Sequence, residues 1–103
     1  MTDDIASLSR IVAPIAEKYG VERVALFGSR ARGNAGIKSD YDFVITNGKI
    51  QSLFTMAAFL TDLENALEAP VDLISDTSSD RAFLAEIARE EVSLYERQRQ
   101  AGT

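Results

Sequence analysis

Cysteine and histidine are both absent from the 103-residue chain. Their absence removes disulfides, Cys/His zinc sites, thiol nucleophiles and histidine bases together, so any proton this protein moves must pass to a carboxylate or to metal-bound water. Positive charge is also scarce: 11 Lys and Arg stand against 16 Asp and Glu, a net charge of -5. A nucleic-acid polymer is held through a basic stripe, so no such partner is expected. No apolar run approaches membrane-spanning length, and the amino terminus lacks the charged start and long apolar core of a secretory leader, which makes the cytoplasm the expected location. Neither an internal repeat nor a linker interrupts the chain. Residues 1–103 are therefore expected to form one domain, whose 46% hydrophobic content can fill a modest core without room for a separate substrate domain.

What the chain does contain is a small-residue turn, Gly28-Ser29-Arg30-Ala31-Arg32-Gly33, after the apolar run Val24-Ala25-Leu26-Phe27. Glycine lets an anion approach the main chain, and outward-facing N–H groups at the start of a helical turn favour negative charge. Ser29 adds a hydroxyl. Arg30 and Arg32 are the densest positive charge in the chain; as i and i+2 on a helix they do not share a face, so one is expected at phosphate and the other against a carboxylate.

The second feature is Ser39-Asp40-Tyr41-Asp42, opening the run Phe43-Val44-Ile45. In a strand Asp40 and Asp42 point the same way, roughly 7 Å apart, and like charges on one face repel. A magnesium ion resolves that conflict with one or two carboxylates, leaving its other positions to water and substrate phosphate. A third acid, Asp72, lies inside Val71-Asp72-Leu73-Ile74, which reads as a buried strand. If that strand lies beside the first, three carboxylates converge around two metals roughly 4 Å apart, a clamp for in-line displacement at phosphorus. Alone, a Gly-Ser pair is commonly just a turn and Asp-x-Asp a solvated loop or helix cap; their order and spacing point to phosphoryl or nucleotidyl transfer.

The remaining periodicity predicts an α/β domain, a small mixed sheet backed by helices. Asp3 or Asp4 caps a first helix with Ile5, Leu8, Ile11, Val12, Ile15 and Ala16 inward and Gly20 as its stop. Strands follow at Val21–Phe27 and Tyr41–Thr46, then a turn at Asn47-Gly48. A helix from about Ser52 to Leu67 presents Phe54, Ala57, Ala58, Leu60, Leu63 and Leu67 as a broad core face. Pro70 precedes the strand Val71–Ile74, and Ser79 or Asp80 caps a last helix carrying Phe83, Leu84, Ile87, Ala88 and Val92. Val92–Tyr95 fits either a continuation of that helix or an edge strand. From about Arg97 to Thr103 a frayed tail is expected.

The turn, the spacer and Ser39-Asp40-Tyr41-Asp42-Phe43-Val44-Ile45 resemble the signature of the minimal nucleotidyltransferases, the small MNT branch of the DNA polymerase beta superfamily, over nearly the whole chain. The resemblance implies a polymerase-beta-like core in which Asp40 and Asp42 bind two Mg2+ ions and Asp72 completes the triad, assisting deprotonation of an acceptor hydroxyl. It implies that Gly28 and Ser29 hold the β- and γ-phosphates of an NTP, ATP being the expected donor, with Arg30, Arg32 and Ser39 also at the nucleotide. Many members act as antitoxins that transfer AMP to a tyrosine of a HEPN-type partner encoded nearby, which makes such a toxin the expected acceptor. Two other readings remain open: an antitoxin that neutralises by binding alone, and a transferase acting on a small molecule of the aminoglycoside kind.

Overall fold

The computed structural model describes residues 4–33 and 40–98. Asp4 caps helix α1 (Ile5–Tyr19), its carboxylate accepting from the Ser7 N–H, and Gly20 ends the helix in the left-handed conformation. The two backbone donors that follow are spent on this cap: Gly20 N–H reaches Glu17 O and Val21 N–H reaches Ala16 O. That is why strand β1 covers Arg23–Phe27 rather than starting at Val21, which is nonetheless fully buried. A single helical turn, α2 (Ser29–Arg32), follows directly.

Strand β2 (Tyr41–Thr46) has the bounds the sequence predicts. Ser52 caps helix α3 (Leu53–Leu67), and strand β3 (Val71–Ser75) runs one residue past Ile74. Asp80 caps α4 (Arg81–Glu90), after which the extended Glu91 leads straight into β4 (Val92–Glu96). The open alternative at Val92–Tyr95 thus resolves as an edge strand. Beyond it, Arg97 N–H donates to Glu22 O at 2.8 Å, so this residue of the expected tail is tied to the body; residues 99–103 lie outside the described part.

The four strands form one mixed sheet in the order β3-β2-β1-β4. β1 pairs antiparallel with β2 and β4, while β2 and β3 are parallel, joined by the α3 crossover. On one face Val24, Leu26, Phe43, Ile45, Val71 and Leu94 pack against Leu8, Val12 and Ala16 of α1 and Phe59 and Leu63 of α3. On the other, Ala25, Phe27 and Val44 meet Ile87 of α4. The inward stripe of α3 differs from the predicted one. Phe59 and Leu63 are buried with Met56, Leu60 and Leu67 beside them, whereas Phe54 is 90% exposed and Ala57 and Ala58 face outward. The helix is apolar nearly all round, so periodicity alone did not single out the face that meets the sheet.

Candidate active site

The alternation that sends Tyr41, Phe43 and Ile45 into the α1/α3 core turns Asp42 and Val44 to the α4 face. Asp42 sits between two in-register neighbours, Phe27 on β1 and Asp72 on β3. In-register pairs share a face, so the two carboxylates stand side by side across a parallel ladder. Asp40 immediately precedes β2 and is exposed. Asp72 is exposed as well, which corrects the expectation of a buried acid: β3 is an edge strand, and the packing on that face takes in Ile74 but leaves Asp72 exposed.

The carboxyl of Asp42 is held above its ordinary pKa, first by burial, then by the charges of Asp72 and Asp40, with Arg32 acting weakly in the opposite sense. The mutual repulsion expected from the sequence is thus present. Among the described residues, no three acidic side chains are drawn into a ready-made metal cage. Repelling carboxylates spread apart until a cation draws them in, and a hard, all-oxygen donor set of this kind suits Mg2+.

Gly28 closes the other side. Its backbone (φ 79°, ψ -158°) lies in a region essentially reserved for glycine, and a Cβ built there would stand 2.3 Å from Asp42 Oδ2. The turn and the acid therefore touch. Sequence reasoning assigned Gly28 to phosphate approach; its close contact with Asp42 carried no separate sequence signal. Ser29 is the first residue of α2, directly after that glycine.

The two arginines part company as their spacing requires. Arg30 is buried, its guanidinium carbon 4.0 Å above the Tyr41 ring on the core side. Arg32 points toward α4 and pairs with both carboxylate oxygens of Glu90, at 3.1 and 3.2 Å. Arg32 is thus the arginine that meets a carboxylate, and it also lies within electrostatic reach of Asp42. Ser39 falls outside the described residues.

Two neighbours of the site escaped sequence reasoning: Glu90, and Phe83, whose ring meets Phe27 edge-on at 6.2 Å between centroids. The sequence places Phe83 on the apolar stripe of the last helix and carries no signal for Glu90. A cavity of about 540 Å³ lined by Glu17, Gly20, Lys49 and Tyr95 lies at the opposite end of the sheet, where β1 begins. At the acids, Asp40 and Asp72 are exposed and Asp42 is half-buried.

A mixed sheet whose parallel pair aligns two carboxylates beside a glycine-led helical turn defines the nucleotidyltransferase class. Residues 10–100 match the family model "Polymerase beta, Nucleotidyltransferase", and the chain belongs to that family. It is 32% identical over 78 residues to protein adenylyltransferase MntA of Thermococcus cleftensis, covering 76% of this chain and 79% of that one. A solved structure of a candidate minimal nucleotidyltransferase superposes with a TM-score of 0.73 at 28% identity, over 84% of this chain and 88% of the other. The same fold occurs in a complex of MNT antitoxin with tri-AMPylated HEPN toxin from Shewanella oneidensis, with a TM-score of 0.69 at 16% identity, over 91% of this chain and 74% of that one. No described helix is long and apolar enough to cross a membrane.

Proposed function

We propose that this protein transfers AMP from ATP to a hydroxyl side chain of a HEPN-type partner and thereby acts as its antitoxin. The observation that carries the reading is the register pairing of Asp42 with Asp72 beside Gly28. The names of the relatives, a protein adenylyltransferase and an antitoxin bound to an AMPylated toxin, support the choice of nucleotide and acceptor.

In this mechanism Gly28 and Ser29 bind the β- and γ-phosphates at the start of α2, with Arg32 near the same end. Asp40, Asp42 and Asp72 would hold magnesium, which when bound neutralises phosphate charge. The acceptor oxygen attacks the α-phosphorus, the bond to the bridging oxygen of pyrophosphate breaks, and the hydroxyl proton passes to the Asp72 carboxylate. The exposure of Asp72 suits this role, since an acceptor from another protein can reach it.

Co-incubation with a HEPN-type protein, taken from the neighbouring genes where one is encoded there, and Mg-ATP, followed by mass spectrometry of that partner, tests the proposal. The wild type adds one or more AMP groups; Asp40→Asn, Asp42→Asn and Asp72→Asn add none while still forming the complex. An unmodified partner together with full neutralisation by Asp40→Asn leaves only the binding antitoxin standing. Nucleotide transfer to an aminoglycoside without the partner favours the small-molecule reading.

A further inference from the structure

Among the described residues four large apolar side chains are notably exposed: Ile11, Leu53, Phe54 and Phe83. Ile11, Leu53 and Phe54 belong to the α1/α3 layer, on the sheet face away from the acids. Phe83 alone belongs to α4, on the face that Asp42 and Asp72 share. Its neighbour Phe27 is the in-register partner of Asp42 and directly precedes Gly28. One side chain therefore separates Phe83 from Asp42.

We infer that Phe83 is the platform on which the base of the bound nucleotide stacks. The inference rests on the nucleotide-transfer reading above and adds to it the base-binding element. The Phe27 and Phe83 rings are nearly perpendicular, at 84°. In an edge-on pair at least one face of each ring is left uncovered by the other, and Phe83 remains 40% exposed. Phosphates at Gly28 and Ser29 and an α-phosphate at the acids would put the ribose and base beyond the acids, and Phe27, the neighbour of both Asp42 and Gly28, leads from there to this ring. The Arg32–Glu90 ion pair links α4 to the α2 turn on this same side of the sheet. Stacking reads the π-face rather than the hydrogen-bonding edge of a base, so Phe83 favours purines by overlap without choosing adenine over guanine.

The test is calorimetric titration of wild type, Phe83→Leu and Phe83→Trp with Mg-ATP and with Mg-tripolyphosphate. Leucine keeps the apolar contact to Phe27 but lacks the ring face. Phe83→Leu should bind Mg-ATP about tenfold more weakly with tripolyphosphate affinity unchanged. The chain contains no Trp, so in Phe83→Trp the new indole is the only one and its fluorescence should be quenched by ATP and not by tripolyphosphate. Wild-type binding with undiminished affinity in Phe83→Leu, or an indole indifferent to ATP, overturns the platform and leaves the transfer reading intact. Failure of the wild type to bind Mg-ATP overturns both.

Discussion

At Asp42 the demands of folding and of chemistry oppose one another. Its carboxyl sits above the ordinary range because burial and two neighbouring acids disfavour the charge. A raised folded-state pKa means the native state holds the proton more tightly than the unfolded chain. The resulting penalty is absent below the unfolded value of about 4 and grows as pH rises through the folded one. Asp42→Asn removes it. We expect the apo mutant to be more stable than wild type at neutral pH by about 0.5 kcal/mol, the scale of a like-charge pair across a ladder. In a domain of this size that is about 2–4 °C in melting temperature. The difference should close as pH falls toward 4. Melting curves without metal at neutral and acid pH check it, and an earlier-melting mutant would mark Asp42 as a structural acceptor. Gly28 belongs to the same conflict: only a residue without Cβ lets the turn approach this carboxylate.

Between elements, the opposite sign occurs at Asp62, which joins α3 to α1. Its carboxylate accepts from the Tyr19 hydroxyl at 2.8 Å and from Lys18 Nζ at 3.1 Å. Those bonds, Tyr19 first, hold its pKa below the ordinary value. The stabilisation is present above the unfolded pKa and fades as pH falls through the folded one. Asp62→Asn should therefore lower the urea midpoint at pH 7 and lose that effect under strong acid; an equal loss at both would assign the cost to packing instead. Elements like these show what the sequence makes legible. Caps at Asp4, Gly20 and Asp80, the first and last each as one of two neighbours, and the bounds of β2 could be read because each depends on local chemistry. The pairing of Asp42 with Asp72 could be stated only conditionally, because register between strands thirty residues apart is set by the α3 crossover. Val92–Tyr95 resisted for a different reason. The ladder to β1 shifts between Val24 and Ala25, leaving Leu94 as the extra residue. Both Leu94 and Tyr95 then pack on the core, so period-two alternation is broken in the sequence itself.

For the molecule as a whole, the order β3-β2-β1-β4 separates the site from β4, the last of the described strands to be made. Asp42, Asp72 and Gly28 all belong to β1, α2, β2 and β3, and the strand that completes the sheet comes from residues 92–96. Until those residues leave the ribosome, β1 is an open edge with unpaired N–H and C=O groups along an apolar sequence. Such an edge invites a strand from another nascent chain. We expect a chain ending at Glu90 to self-associate, and a synthetic peptide of residues 91–98 to restore a monomer by adding the missing strand in trans, with sedimentation velocity as the readout. Association that the peptide leaves untouched would place the sticky surface elsewhere, for instance on the exposed face of α3. By this logic the final strand serves as a built-in guard of solubility: synthesis reaches the chemistry first and the protection afterwards, so the vulnerable interval is as long as translation of α4 and β4.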